Sequence, residues 1–115
     1  MPDTRRDGFD KVRKAAARIP LVTEGTSWGA PALKIRGKMF CCRPTHRSAE
    51  PNSLVVRLQF MDRDFLLGSR PDVYYVKPHY VNYPCILVRL PRIRAKELRE
   101  LLEISGEYVG GKRRT

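Results

Sequence analysis

The sequence predicts an α+β fold: a mostly antiparallel sheet with one face covered by the N- and C-terminal helices. Three observations lead there. Apolar residues recur at helical spacing near both ends of the chain. Between them, short runs alternate apolar and polar residues with period two. The connections between those runs are mostly shorter than the dozen or more residues that a parallel crossover needs. Helices segregated to one face of an antiparallel sheet are the layer arrangement that satisfies all three.

The elements follow in order. Asp7 to Ile19 reads as the first helix, with Phe9, Val12, Ala16 and Ile19 on one stripe. Asp7 is placed to cap it, and Pro20 ends it. Beyond Pro20, Gly25 and Gly29 read as tight turns around "TSW", with Thr26 and Ser27 as turn or cap residues and Trp28 as a core anchor. In "PALKIRGKMFCCRP" two runs are split by Gly37, so "RGK" forms a basic hairpin tip. "PTHRSAEPN" is a polar loop, and "SLVVRLQF" is the next strand. "MDRDFLLGSRPD" reads as a short helix capped by Asp62. Val73–Val76 is a strand, "KPHYVNYP" a turn, and "CILVRL" a strand stopped by Pro91. Arg94 to Val109 is the last helix, with Leu98, Leu101, Leu102, Ser105 and Tyr108 on one side. Its alternating Arg, Lys and Glu residues suggest i,i+4 pairing on the outer surface.

Alternation also divides the strands into two faces. Leu33, Ile35, Leu54, Val56, Leu58, Phe60, Ile86, Val88 and Leu90 should pack on the helices. Lys34, Arg36, Val55, Arg57, Gln59, Leu87 and Arg89 should then line an uncovered face.

The 115 residues suit one domain, 1–115, with 1–6 and 112–115 expected to fray. A chain of this length buries roughly two-thirds of its unfolded surface and folds without metal or disulfide. No apolar run is long enough to span a bilayer, and "MPDTRRDGFD" lacks the apolar stretch of a signal peptide. A cytoplasmic location is the expectation, with no membrane partner. Cys41, Cys42 and Cys85 have no metal-ligand spacing, and adjacent strand residues point to opposite faces. Reduced, buried thiols are expected, without a metal or cofactor.

Charge is the strongest compositional feature. Lys plus Arg number 23 against 12 Asp plus Glu, a formal net charge of +11. Such a balance attracts polyanions. Between residues 34 and 57 the only acidic residue is Glu50. The candidate nucleic-acid contacts are Lys34, Arg36, Lys38, Arg43, Arg47, Arg57, Lys77 and Arg89, with His79 meeting phosphate and Tyr80 and Tyr83 stacking on bases or sugars. The same turn also reads as a plain structural corner, its prolines stiffening the chain and its tyrosines burying their rings.

Three stretches together carry a resemblance: "EGTSWGAPALKIRGKMF", "YYVKPHYVNYPCILVRL" and the leucine-rich final helix. From about Phe9 to Gly111 the chain resembles the MmcQ/YjbR family. The resemblance implies a compact sandwich similar to the frataxin/CyaY-like fold, and it carries a "double-wing" DNA-binding label. Frataxins use acidic ridges for iron, and the cationic excess here removes that expectation. The Cys41–Cys42 pair is not part of the family pattern.

The functional expectation is a monomeric DNA-binding protein, RNA being the other polyanion of the same kind. It would hold phosphates weakly with the hairpin and the sheet face. The alternative is a small-molecule- or protein-binding domain with a pocket near Trp28 and His79–Tyr83. No catalytic constellation is readable. An enzyme would need His79 joined to an acid such as Glu24 or Asp72.

Overall fold

A computed structural model describes residues 9–111; the Asp7 cap and both predicted frayed ends lie outside them. The elements are α1 (Phe9–Ala15), β1 (Val22–Ser27), β2 (Ala30–Ile35), β3 (Lys38–Cys42), β4 (Ser53–Arg57), α2 (Phe60–Ser69), β5 (Tyr74–Tyr75), β6 (Cys85–Arg89), a 3₁₀ turn (Leu90–Arg92) and α3 (Ala95–Gly110). The six strands form one sheet in the order β1-β2-β3-β4-β6-β5, and every neighbouring pair is antiparallel. The predicted α+β class is therefore observed.

The helix face carries the main core. Leu33, Ile35, Phe40, Leu54, Val56, Ile86 and Val88 from the sheet meet Phe9 and Val12 of α1 and Leu98, Leu101 and Leu102 of α3. Side chains of period 3.6 from the helices and period 2 from the strands thus converge in one layer, as the apolar patterning requires. Tyr108 departs from expectation. It lies at the margin of the α3 stripe and is exposed, while Val109 is buried. Gly111 takes a left-handed conformation (φ 69°) and ends α3. On the outer surface of α3, Glu97 bonds Arg70 and the Tyr74 hydroxyl instead of a helical neighbour.

Helix α1 is shorter than its periodicity suggests. Beyond Ala15, the amides of Ala17 and Ile19 bond to the carbonyls three residues back, so the last turn tightens. Pro20 disfavours the α conformation at residue 19 and completes the stop. Helix α2 begins at Phe60, with Gln59 at the cap position and no side-chain cap; Asp62 lies in its first turn instead. The 73–76 strand contracts to Tyr74–Tyr75.

Strand β1 is the element that sequence patterning missed. Thr23, Glu24 and Thr26 are exposed, so it has no apolar alternation to read. It exists because the two-residue turn Trp28–Gly29 folds it onto β2, pairing Val22 with Ile35 and Ser27 with Ala30. Both turn residues have positive φ, 56° and 79°. Arg36 and Gly37 repeat this at the other end of β2, with φ of 54° and 79°. Two-residue turns of this hand match the twist of the flanking strands, and glycine at the second position makes them accessible. Gly25 is consequently a mid-strand residue.

The opposite face is not uncovered, which corrects the alternation argument. Ala32, Cys42, Val55, Tyr75, Tyr80, Cys85 and Leu87 form a second, smaller core. The 76–84 turn folds back over the sheet and lays Tyr80 on it, while the hydroxyl of Tyr75 bonds Ser53. Burial raises the thiol of Cys41 in the main core, and that of Cys42 in the second core to about 11. Both thiols therefore stay protonated at neutral pH.

Candidate nucleic-acid interface

The outer face of the sheet has a covered half and an open half. Register places Thr23, Gly25 and Ser27 of β1 beside Ala30, Ala32 and Lys34 of β2 on this side. The β2–β3 pairing then sets Met39 opposite Lys34, across a bulge between Leu33 and Lys34. Lys34 runs across Gly25, where its Cε would lie 3.5 Å from an added Cβ. Arg57 of β4 donates to the Met39 carbonyl at 3.2 Å, so its guanidinium is held beside this strip. Arg36 and Lys38 stand exposed at the hairpin tip. The open half is therefore a narrow strip along β1, crossed by Lys34 at Gly25, with cations gathered toward the tip; Ala32 belongs to the second core. Among the described residues, Lys34, Arg36 and Lys38 have no carboxylate partner.

A ridge bounds the strip. It is built from the 43–50 loop and the 76–84 turn. The Arg43 amide bonds the Pro31 carbonyl, which fixes the loop at the start of β2. His46 and His79 stack face to face, 3.7 Å between ring centroids and 10° between planes, and Tyr80 meets both edge-on. The Ser48 amide donates to His46 Nδ1. Partial desolvation, then His79, then Arg47 lower the His46 pKa from the ordinary histidine value. From behind, Arg63 of α2 holds the turn by donating to the carbonyls of Val81 and Tyr83.

The candidates from sequence thus divide. Lys34 and Arg57 lie on the outer face at the hairpin end of the strip; Arg36 and Lys38 are exposed at the tip, Arg36 beside a helix-side cavity and Lys38 paired with Ile35 of the main core; Arg47 and His79 lie on the ridge. Lys77 sits 5.8 Å above the Tyr75 ring. Tyr80 is buried and supports the ridge from within. Arg43 is already engaged elsewhere. Arg89 is internal to the fold. It makes a two-pronged pair with Glu50 at 2.8 and 3.0 Å, donates to the Pro71 carbonyl, and lies 4.5 Å over the Tyr75 ring. Glu24 is held by Arg13 and Asp72 by Arg70, so neither carboxylate serves His79.

Trp28 reverses its sequence reading. It is 88% exposed at the tip of the β1–β2 turn and anchors no core. The indication in sequence was its position before Gly29, the place of the first residue in a two-residue turn. His46 was likewise read only as a loop residue; its stacking partner is 33 residues away and invisible to local pattern. A cavity of about 400 Å³ opens on the helix side, between the segment after α1, Ile35 of β2, Arg36 of the following turn, and Gly106 and Gly110 of α3. It is separate from Trp28 and from His79–Tyr83.

These features define an α+β protein with a six-stranded antiparallel sheet, helices on one face and a partly open, cation-bearing strip on the other. The YjbR family model matches residues 17–105, and the chain belongs to that family. It is 34% identical over 58 residues to Uncharacterized protein Rv2570 of Mycobacterium tuberculosis (strain ATCC 25618 / H37Rv), covering 48% of this chain and 45% of the relative. The same values hold for Uncharacterized protein Mb2600 of Mycobacterium bovis. The chain thus spans about half the length of the curated relatives it matches. The crystal structure of Deinococcus radiodurans protein DR2400, with a DUF419 domain, shares the fold with a TM-score of 0.71 at 20% identity, over 95% of this chain and 83% of that one. No helix among the described residues is long and apolar enough to cross a membrane.

Proposed function

We propose that this protein binds DNA, holding backbone phosphates along the open strip of its sheet with little reading of sequence. The observation that carries this reading is the set of cations around the β2–β3 tip, Lys34 and Arg57 on the outer face and Arg36 and Lys38 exposed at the tip itself, on a chain of net charge +11. Lysine and arginine side chains free of carboxylate partners keep their charge available, whereas a paired cation such as Arg89 would have to give up its partner first. Phosphate contacts release counterions and supply most of sequence-independent binding.

Titration of a labelled DNA duplex at two salt concentrations tests the proposal. With four phosphate contacts, the affinity should fall about 150-fold between 50 and 200 mM salt. The double substitution Lys34→Glu and Arg36→Glu should weaken binding and flatten that salt dependence by about half. Absence of binding at 50 mM salt, or affinity unaltered by the double substitution, rejects the proposal.

A further inference from the structure

Trp28 and the stacked histidines stand apart from the phosphate-binding argument, because what they offer is a flat ring face. We infer that the strip takes single-stranded nucleic acid in preference to duplex, with Trp28 as a platform on which an unpaired base stacks. This rests on the nucleic-acid reading above and assigns it a substrate class.

Four observations converge. Trp28 is the chain's only tryptophan and is 88% exposed. It is held in a left-handed conformation, with φ 56°, at the tip of a tight turn. The two-residue turn sets this conformation, as it does at Arg36, and it leaves the ring with no core to enter. Second, the tip stands at the end of the strip opposite the cations. Eight residues separate Trp28 from Arg36, an extended reach of about 26 Å at strand spacing. That length suits on the order of four nucleotides, the low end of the sites used by single-strand binders. Third, the half-buried Gly25 and Ser27 of β1 lie between them, and the Lys34 side chain crosses Gly25, so a strand running from Trp28 toward the cations meets a lysine on its way. Fourth, the ridge carries a second flat surface, the His46–His79 stack, with Arg47 next to His46 in the loop.

Energetics separate single strand from duplex. Inserting a Trp ring into a duplex requires unstacking a base step, which opposes binding. A single strand presents bases that are already free, and each base stacked on an aromatic side chain strengthens binding about 5- to 150-fold. Lone cations give no such preference. The aromatic platform is therefore what selects an unpaired strand.

The position of Trp28 supplies its own probe. A labelled thymidine oligonucleotide of fifteen residues and a blunt duplex of the same length are titrated against the whole chain, by anisotropy and by tryptophan emission. The oligonucleotide should bind at least tenfold more tightly than the duplex and quench the emission as the ring stacks. Trp28→Ala should weaken oligonucleotide binding about tenfold and leave duplex binding unchanged, while Trp28→Phe restores most of the loss. An exposed tip residue leaves the core intact, so the circular dichroism of both variants should match the parent. Duplex bound as tightly as single strand, or Trp28→Ala without effect on the oligonucleotide, overturns this inference and leaves the DNA-binding proposal standing. Binding of neither nucleic acid overturns both.

Discussion

Replacing Arg89 separates a fold-stabilising cation from a ligand-binding one. Sequence alternation places Arg89 among the open cations, but in the fold its guanidinium is spent internally. It pairs through two nitrogens with Glu50, donates to the Pro71 carbonyl at 3.0 Å, and covers the Tyr75 ring. The Glu50 pair is partly exposed, with side chains 25% and 39% accessible, so it belongs near the upper end of surface pairs, about 1 kcal/mol. The carbonyl bond contributes about 1 kcal/mol and the ring contact about 0.5–1. Arg89→Ala should therefore destabilise the fold by about 2–3 kcal/mol, lowering the urea midpoint by about 1.5–2 M with an unchanged slope. Arg36→Ala, which removes an exposed cation with no carboxylate partner among the described residues, should stay within about 0.5 kcal/mol of the parent. Acid should reproduce part of the loss. Arg89 holds the Glu50 carboxyl below its ordinary range, so the contribution of the pair is complete above the unfolded carboxylate pKa and disappears as pH falls through the lowered folded value. The test is urea unfolding followed by circular dichroism, with duplex binding measured on the same samples. An Arg89→Ala protein of parental stability that has lost DNA binding would refute the internal assignment.

Two further outcomes are expected. Ser105 is fully buried and donates to the Phe40 carbonyl at 3.1 Å, so Ser105→Ala leaves that carbonyl unpaired in the core and should cost about 1–3 kcal/mol by the same urea assay; a change under 0.5 would show that the carbonyl finds another partner. In a proton NMR titration His46 should have a pKa below the ordinary histidine value, rising only partway in His79→Ala because desolvation is the larger cause. The sign follows: a histidine with a depressed folded pKa supports stability fully above its unfolded pKa, and that support fades as pH falls through the unfolded value toward the folded one. A normal His46 pKa in the parent would show that the stack does not form in solution.

Local pattern was sufficient wherever burial is periodic. The leucines of α3 and the alternation of β4 and β6 name their own core faces, because a helix or strand with one apolar side has few ways to hide it. The "RGK" tip was legible for a related reason: glycine in the second position of a two-residue turn has a local steric cause. Net charge is set by composition alone and is read without a fold.

Tertiary structure decided what composition leaves open. Strand β1 has no apolar period and is defined only by pairing with β2. The second core under Tyr80 depends on a turn folding back across the sheet, a contact between segments far apart in sequence. Arginines look alike in sequence, yet Glu50 and Tyr75 occupy Arg89 while Arg36 stands exposed, with no carboxylate partner among the described residues. Trp28 shows the same dependence: its size favours burial, but its place at a hairpin tip gives it no core to enter. Sequence fixes which groups a chain carries and which faces are apolar; the long-range register of strands and loops determines which of those groups remain available to a ligand.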